Sequence, residues 1–211
     1  MRQALALFVT FEGGEGSGKS IQARALYKRV SEYGIPVTLS QEPGGTSLGI
    51  KARRLLKQRR DTEISPLAEL FLFAASRAQL VVKVVRPSLE RGTMVICDRY
   101  AASTVAYQGY GRGLDLNSIQ TINTIATQNL LPDLVILLDI PVEIGLARKG
   151  SVENDRFDSE EVFFHQRVRE GYIEMAASDP KRWLVVDASL PRREVERIIW
   201  ERVEGLLQNE A

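Results

Sequence analysis

Eight residues near the start of the chain, Gly13-Gly14-Glu15-Gly16-Ser17-Gly18-Lys19-Ser20, restrict its fold more than any other segment. They fit G-x-x-x-x-G-K-[ST], the P-loop pattern. The apolar run Leu5 to Phe11 leads into them and Ile21 to Tyr33 leaves as a helical pattern. A strand that passes through such a loop into a helix turns successive backbone N–H groups inward, and the helix N-terminus adds partial positive charge. That cradle suits phosphate oxygens. Lys19 would reach the β- and γ-phosphates of a bound nucleotide, and the Ser20 hydroxyl would bind Mg²⁺. Gly13, Gly14, Glu15, Gly16, Ser17, Gly18, Lys19 and Ser20 are therefore the expected donor-nucleotide site. A chance glycine-rich turn does not explain the Gly-Lys-Ser ending in a strand–loop–helix setting. The motif does not separate a kinase from an ATPase or a GTPase, although no Asn-Lys-x-Asp tetrad follows to mark a guanine-specific switch.

The rest of the chain repeats the same alternation. Val37 to Leu39, Met94 to Cys97, Leu134 to Leu138 and Trp183 to Val186 are short apolar runs separated by longer helical patterns. Runs of this kind read as buried strands of a parallel sheet. Val195, Ile198, Ile199, Val203 and Leu206 recur at helical spacing behind Pro191. The expected fold is α/β: a five-stranded parallel sheet with helices on both faces. Four of the five runs end in a carboxylate, Glu12, Asp98, Asp139 and Asp187. Ligands of open α/β sheets bind at these carboxyl ends. Asp139 and Asp187 are adequately explained as acids that end a strand and cap the next helix.

With 211 residues, the chain reads as one domain over 1–211. One polar stretch, Arg148 to Arg156, interrupts the apolar periodicity, and a helix is expected from Asp158 with Glu161 completing a capping box. The loop at about 148–158 is a candidate lid. Lys plus Arg number 28 against 27 acids, so a broad basic field for nucleic acid is not expected. The N-terminal apolar run is too short to span a membrane and lacks a signal-peptide layout, which makes a cytoplasmic location the default. Cys97, the single cysteine, sits inside an apolar run and reads as a buried structural thiol.

Asp98-Arg99-Tyr100 closes the third strand. Asp98 could hold a water of the Mg²⁺ shell, and Arg99 would face the gap between two phosphate groups. A plain surface salt bridge is the alternative for these two residues taken alone. Five motifs in order, Phe11-Glu12-Gly13, Glu42-Pro43-Gly44-Gly45-Thr46, Phe73-Ala74-Ala75-Ser76-Arg77, Asp98-Arg99-Tyr100 and Ala106-Tyr107-Gln108-Gly109, resemble those of the bacterial thymidylate kinases. Arg167-Val168-Arg169-Glu170-Gly171-Tyr172 is similar too, so the resemblance covers nearly the whole chain.

The resemblance implies the P-loop nucleoside monophosphate kinase fold and transfer of a phosphoryl group from ATP to dTMP, a step of dTTP biosynthesis. It implies that Phe73 stacks on thymine and that Arg77 donates to a base carbonyl. Spacing alone would make these two a core aromatic and a solvated partner. It further implies that Arg53 and Arg99 clamp the acceptor phosphate, and that Glu15 approaches the sugar 3′-hydroxyl. Tyr107 and Gln108, with Thr104 adjacent, line the sugar and base pocket. Members of the family place a catalytic arginine in the P-loop or in the lid. Here the P-loop position is Gly16, so Arg148 and Arg156 become the candidates, with Lys149 between them and a weaker geometric match. Lys19, Arg99, Arg148 and Arg156 are thus the expected catalytic cations, Ser20 and Asp98 the metal site, and a homodimer the expected assembly. A kinase of the same fold with another acceptor is the near alternative. A regulatory P-loop ATPase is the distant one.

Overall fold

A computed structural model of the chain describes residues 6–57, 63–149, 157 and 160–209. Five strands, β1 (Phe8–Glu12), β2 (Val37–Gln41), β3 (Met94–Asp98), β4 (Leu134–Asp139) and β5 (Trp183–Asp187), form one all-parallel sheet in the order β2-β3-β1-β4-β5. The three central strands are almost entirely buried, which is why they read as unbroken apolar runs rather than alternating ones. The four carboxylates expected at the strand ends are the last residues of β1, β3, β4 and β5.

Two helical layers cover the sheet. On one face α1 (Lys19–Glu32) and α9 (Arg192–Asn209) bury Leu26, Val30, Val195, Ile199 and Val203 against Val9, Phe11, Ile96, Ile136 and Leu138. The other face carries α3 (Pro66–Leu80) and α8 (Val162–Ser178). Leu80 and the π-helical stretch Val81–Val85, which runs on into α4 (Arg86–Glu90), pack there on Phe8, Val95 and Cys97. The α8 stripe Phe164, Val168 and Tyr172 packs on Leu137. Fully burying one such side chain contributes about 1.5–3 kcal/mol. Cys97 is buried, and burial pushes its thiol pKa well up, so it is an inert core residue.

The sheet order places the site. Between β1 and β2 the chain crosses over β3, whereas β4 joins on the other side of β1. The order therefore reverses around β1, and the crevice beyond its carboxyl end is where ligands of such sheets bind. The register brings Asp98 beside Phe11 and Gln41, at the same edge as Glu12.

Two local expectations are corrected. α8 begins at Val162, with Glu161 as its N-cap residue, not at Asp158. Asp139 is not a cap. Its two oxygens accept from Arg169 Nε and Nη2 at 2.7 and 2.8 Å, pinning α8 to the end of β4. Arg156, Asp158 and most of the expected lid lie outside the described residues. Among the described residues, no helix is long and apolar enough to cross a membrane.

Candidate active site

The P-loop backbone departs from ordinary conformations where its glycines stand. Gly13, Gly16 and Gly18 have φ of 138°, 67° and 88°, values that L side chains avoid. Gly18 is also the N-cap of α1 and supplies no side-chain hydrogen bond, and the first turn holds no acid. The first-turn N–H groups and the positive end of the helix dipole therefore have no capping side chain among the described residues. Among the described residues, a Cβ added at Gly14 or Gly18 would meet nothing within 4 Å. Lys19 curls back over the loop and donates to the Gly14 carbonyl at 2.6 Å and to Ser17 Oγ at 3.2 Å. Burial, and then the nearby Arg99, pushes its pKa down to about 8. Ser20 Oγ donates a short hydrogen bond to Asp98 Oδ2, which brings together two hard oxygen donors from α1 and β3. That donor set suits Mg²⁺, which takes few protein ligands and completes its shell with phosphate and water.

A cavity of about 340 Å³ opens in front of this loop. Glu15, Lys19, Ser20, Arg53, Phe73, Asp98, Arg99, Thr104, Tyr107 and Gln108 all line it. Arg99 is its central cation. The residue has φ of 72°, unusual for a side chain of this size. Its Nη2 donates to Glu15 Oε1 at 2.8 Å and to Tyr107 Oη at 3.0 Å. Its Nη1 donates to the Gly13 carbonyl, Ser103 Oγ and Tyr172 Oη at 3.2–3.3 Å. Burial alone would raise the Glu15 pKa. Arg99, with Lys19 and Lys149 behind it, outweighs that and holds the carboxyl well below the usual range. Glu15 is therefore a fixed anion among three cations.

Beneath Arg99 lies a polar layer that sequence reasoning missed. Glu12 is fully buried and accepts from the Tyr100 backbone N–H at 2.8 Å, Ser103 Oγ at 2.6 Å and Tyr172 Oη at 3.0 Å. Burial raises its pKa, against the hydrogen bond from Ser103 and the charge of Arg99. Three donors on one carboxylate from two distant elements fix the start of α5 (Ala101–Thr104) and the face of α8 against the end of β1. In the sequence Tyr172 stands out only as the end of the family-like run Arg167 to Tyr172. Its hydroxyl is the part that matters here.

The far end of the cavity is aromatic. Phe73 on α3 and Tyr107 on the π-helical stretch Val105–Gly111 both contact Phe157, with ring centroids 6.0 and 5.9 Å apart. The three rings line an apolar slot at that end of the cavity. Gln108 donates to the buried Glu69 carboxylate at 2.7 Å. Arg77 does not line the slot but lies one layer below it, about 1% exposed. Its Nε donates to Glu42 Oε2 at 2.8 Å, Nη1 to Asn123 Oδ1 at 2.7 Å, and Nη2 to Thr104 Oγ1 at 2.8 Å and the Tyr100 carbonyl at 3.2 Å. Four of its five N–H groups are committed to these partners. Arg53, on α2 (Ser47–Lys57), donates to the Pro43 carbonyl at 3.1 Å.

A glycine-rich loop at a helix N-terminus, two half-buried arginines and an aromatic slot thus share one cavity. The sequence profile of the thymidylate kinases matches residues 11–199. The chain belongs to the thymidylate kinase family. A thymidylate kinase of Dehalococcoides mccartyi is 52% identical over 204 residues, covering 97% of this chain and 99% of the relative. One from Citrifermentans bemidjiense is 44% identical over 212 residues, covering 97% and 94%. The crystal structure of thymidylate kinase from Ehrlichia chaffeensis superposes with a TM-score of 0.77 at 33% identity, covering 94% of this chain and 99% of that one.

This thymidylate kinase family member has Gly16, not an arginine, in its P-loop, so the placement of Arg148 and Lys149 is of interest. Here the geometry departs from expectation. Arg148 turns away from the cavity and donates to the Ala188 carbonyl at 2.7 Å, beyond the end of β5. Lys149, the last residue of α7 (Val142–Lys149), lines the cavity instead and donates to Glu15 Oε2 at 3.1 Å. The structure also gives a reason for Gly16. A Cβ there would collide with the Gly145 carbonyl, because α7 lies directly on the loop. Gly16→Ala should cost at least about 1 kcal/mol from its left-handed backbone alone, and displace α7 as well. Thermal melts and the KM for ATP would check this: an unchanged melting temperature together with an unchanged KM would mean that the loop and helix move apart freely.

Proposed function

We propose that this chain transfers the γ-phosphoryl group of ATP to dTMP, giving ADP and dTDP. The carrying observation is the single cavity in which the P-loop and the Phe73/Tyr107/Phe157 slot open onto each other, with Arg99 between them and Arg53 at the wall. Two guanidiniums suit an acceptor that already bears a phosphate. The names of the relatives support the same reading.

In this reading Phe73 stacks on thymine, Arg77 offers its remaining Nη1 N–H to a base carbonyl, and Gln108 and Thr104 close the base pocket. Tyr107 blocks the space for a ribose 2′-hydroxyl. Arg53 and Arg99 hold the acceptor phosphate in line with the donor. Glu15 takes the 3′-hydroxyl. Lys19 and the loop N–H groups hold the donor phosphates, and the charge that develops on the transferred group meets Lys19 and Arg99. Mg²⁺ bound through Ser20 and Asp98 would supply further neutralisation between the donor phosphates. Positioning and charge do most of the work, since phosphoryl transfer needs little covalent participation by the protein.

The reading extends to a cytoplasmic enzyme without nucleic-acid partners. It includes a homodimer, for which Leu67 and Phe71 of α3 and Ile125 of α6 (Leu116–Thr127) supply exposed apolar surface. A screen of common nucleoside monophosphates with ATP and Mg²⁺ tests the acceptor. We expect dTMP to be best, dUMP weaker and purine monophosphates very poor. AMP or CMP matching dTMP in kcat/KM would overturn the assignment.

A further inference from the structure

Lys149 stands apart among the cavity's cations, because it reaches the P-loop from a helix that touches the loop at two levels. The first level is backbone. Gly145, one turn earlier on α7, lies so close that a Cβ on it would collide with the Glu15 carbonyl, just as a Cβ on Gly16 would collide with the Gly145 carbonyl. The second level is the side chain, with Lys149 Nζ on Glu15 Oε2. Glu15 Oε1 is already occupied by Arg99 and Tyr107. The terminal torsion of a glutamate is broad, so a carboxylate held through one oxygen can still swing about it. Lys149 holds the other oxygen and removes that freedom. Its side chain is 24% exposed and that of Glu15 15%, so the pair is shielded more than a surface ion pair.

We propose that Lys149 is a positioning residue for the acceptor sugar: it pins Glu15 from α7 so that the carboxylate is set to receive the 3′-hydroxyl. The inference rests on the assignment of Glu15 to that hydroxyl. A lysine suits the task, since its point charge imposes no planar geometry on an oxygen that must also accept from substrate. The consequence is specific. Loss of Lys149 weakens the advantage that dTMP has over the same nucleotide without a 3′-hydroxyl, whereas a residue acting on the transferred phosphoryl group would slow both equally.

The test compares dTMP with 3′-deoxy-dTMP on four full-length proteins: the unaltered enzyme, Lys149→Met, Lys149→Arg and Glu15→Gln. Thermal melts first establish that each is folded. The unaltered enzyme should prefer dTMP by at least about tenfold in kcat/KM, the scale of a hydrogen bond to a charged group. In Lys149→Met that preference should shrink at least about threefold, chiefly through KM for dTMP, and Lys149→Arg should restore most of it. Glu15→Gln should shrink it as well. If Glu15→Gln shrinks the preference and Lys149→Met leaves it intact, the proposal fails while the reading of Glu15 stands. A fall in kcat on both acceptors, with the preference intact, would instead make Lys149 a catalytic cation and also overturn the proposal. If the unaltered enzyme shows no preference for the 3′-hydroxyl, the reading of Glu15 itself is wrong, and the proposal falls with it.

Discussion

Lys19→Met should lower kcat by about 10²-fold or more while raising the KM for ATP much less. The reason lies in how the free protein holds this lysine. It is buried, its ammonium is shared between the Gly14 carbonyl and Ser17 Oγ, and both burial and Arg99 disfavour its charge. Such a cation is costly to keep in the empty site and gains most when negative charge builds up beside it. Stability should therefore move opposite to activity. The pKa of Lys19 is depressed from 10.5 to about 8, so the folded state binds fewer protons than the unfolded one between those values. The penalty is full below pH 8 and is relieved as pH rises towards 10.5. Lys19→Met removes it and should raise the melting temperature of the free protein at pH 7. ATP prefers the protonated lysine, so ATP affinity should weaken as pH rises through about 8, and that step should vanish in the variant. A variant with near-normal kcat would remove Lys19 from the phosphate site. One that melts lower than the unaltered protein would mean that its two hydrogen bonds outweigh its buried charge.

The legibility of this site follows sequence distance. The phosphate cradle is one contiguous run, so its geometry is implied by glycine placement and the Gly-Lys-Ser ending. The strands were equally legible, because burial on both faces leaves unbroken apolar runs. The layer below Arg99 was not, since Glu12 meets Ser103 and Tyr172 only after the chain has crossed the sheet several times. A strand-ending glutamate and a stripe tyrosine carry no local signal that they will meet. Lys149 lies 134 residues from Glu15, and its neighbour Arg148 is the better phosphate ligand by chemistry alone. Only the direction in which α7 leaves the sheet decides between them: it turns Arg148 towards Ala188 and Lys149 towards the cavity. Phe157 is hidden for a similar reason, because it comes directly after a polar stretch yet contacts both Phe73 and Tyr107.

Arg77→Ala should be costly twice over, in stability and in acceptor binding. The guanidinium is the largest fully buried side chain among the described residues and joins α3 to Glu42, Thr104, Tyr100 and Asn123. Its loss strands Glu42, which is 4% exposed and whose second oxygen, Oε1, already lacks a hydrogen-bond partner among the described residues. Breaking a buried ion pair from one side costs about 3–5 kcal/mol, because the remaining charge is left uncompensated. Chemical denaturation at pH 8 should show a loss of that order, and the KM for dTMP should rise with that for ATP nearly unchanged. The pH dependence separates lost charge from lost packing. Burial, opposed by Arg77, already raises the Glu42 pKa from 4.5 to about 7. Folding therefore favours its protonated form, a contribution that is present below pH 4.5 and lost as pH rises through 7. Without Arg77 the folded-state pKa must climb further, and the window of lost stability extends upward with it. The deficit of Arg77→Ala relative to the unaltered protein should thus be larger at pH 8 than at pH 6. Adding Glu42→Gln should recover part of it and flatten the pH dependence. A deficit equal at both pH values and untouched by Glu42→Gln would mean that Arg77 stabilises through packing and its neutral partners, not through its pairing with Glu42.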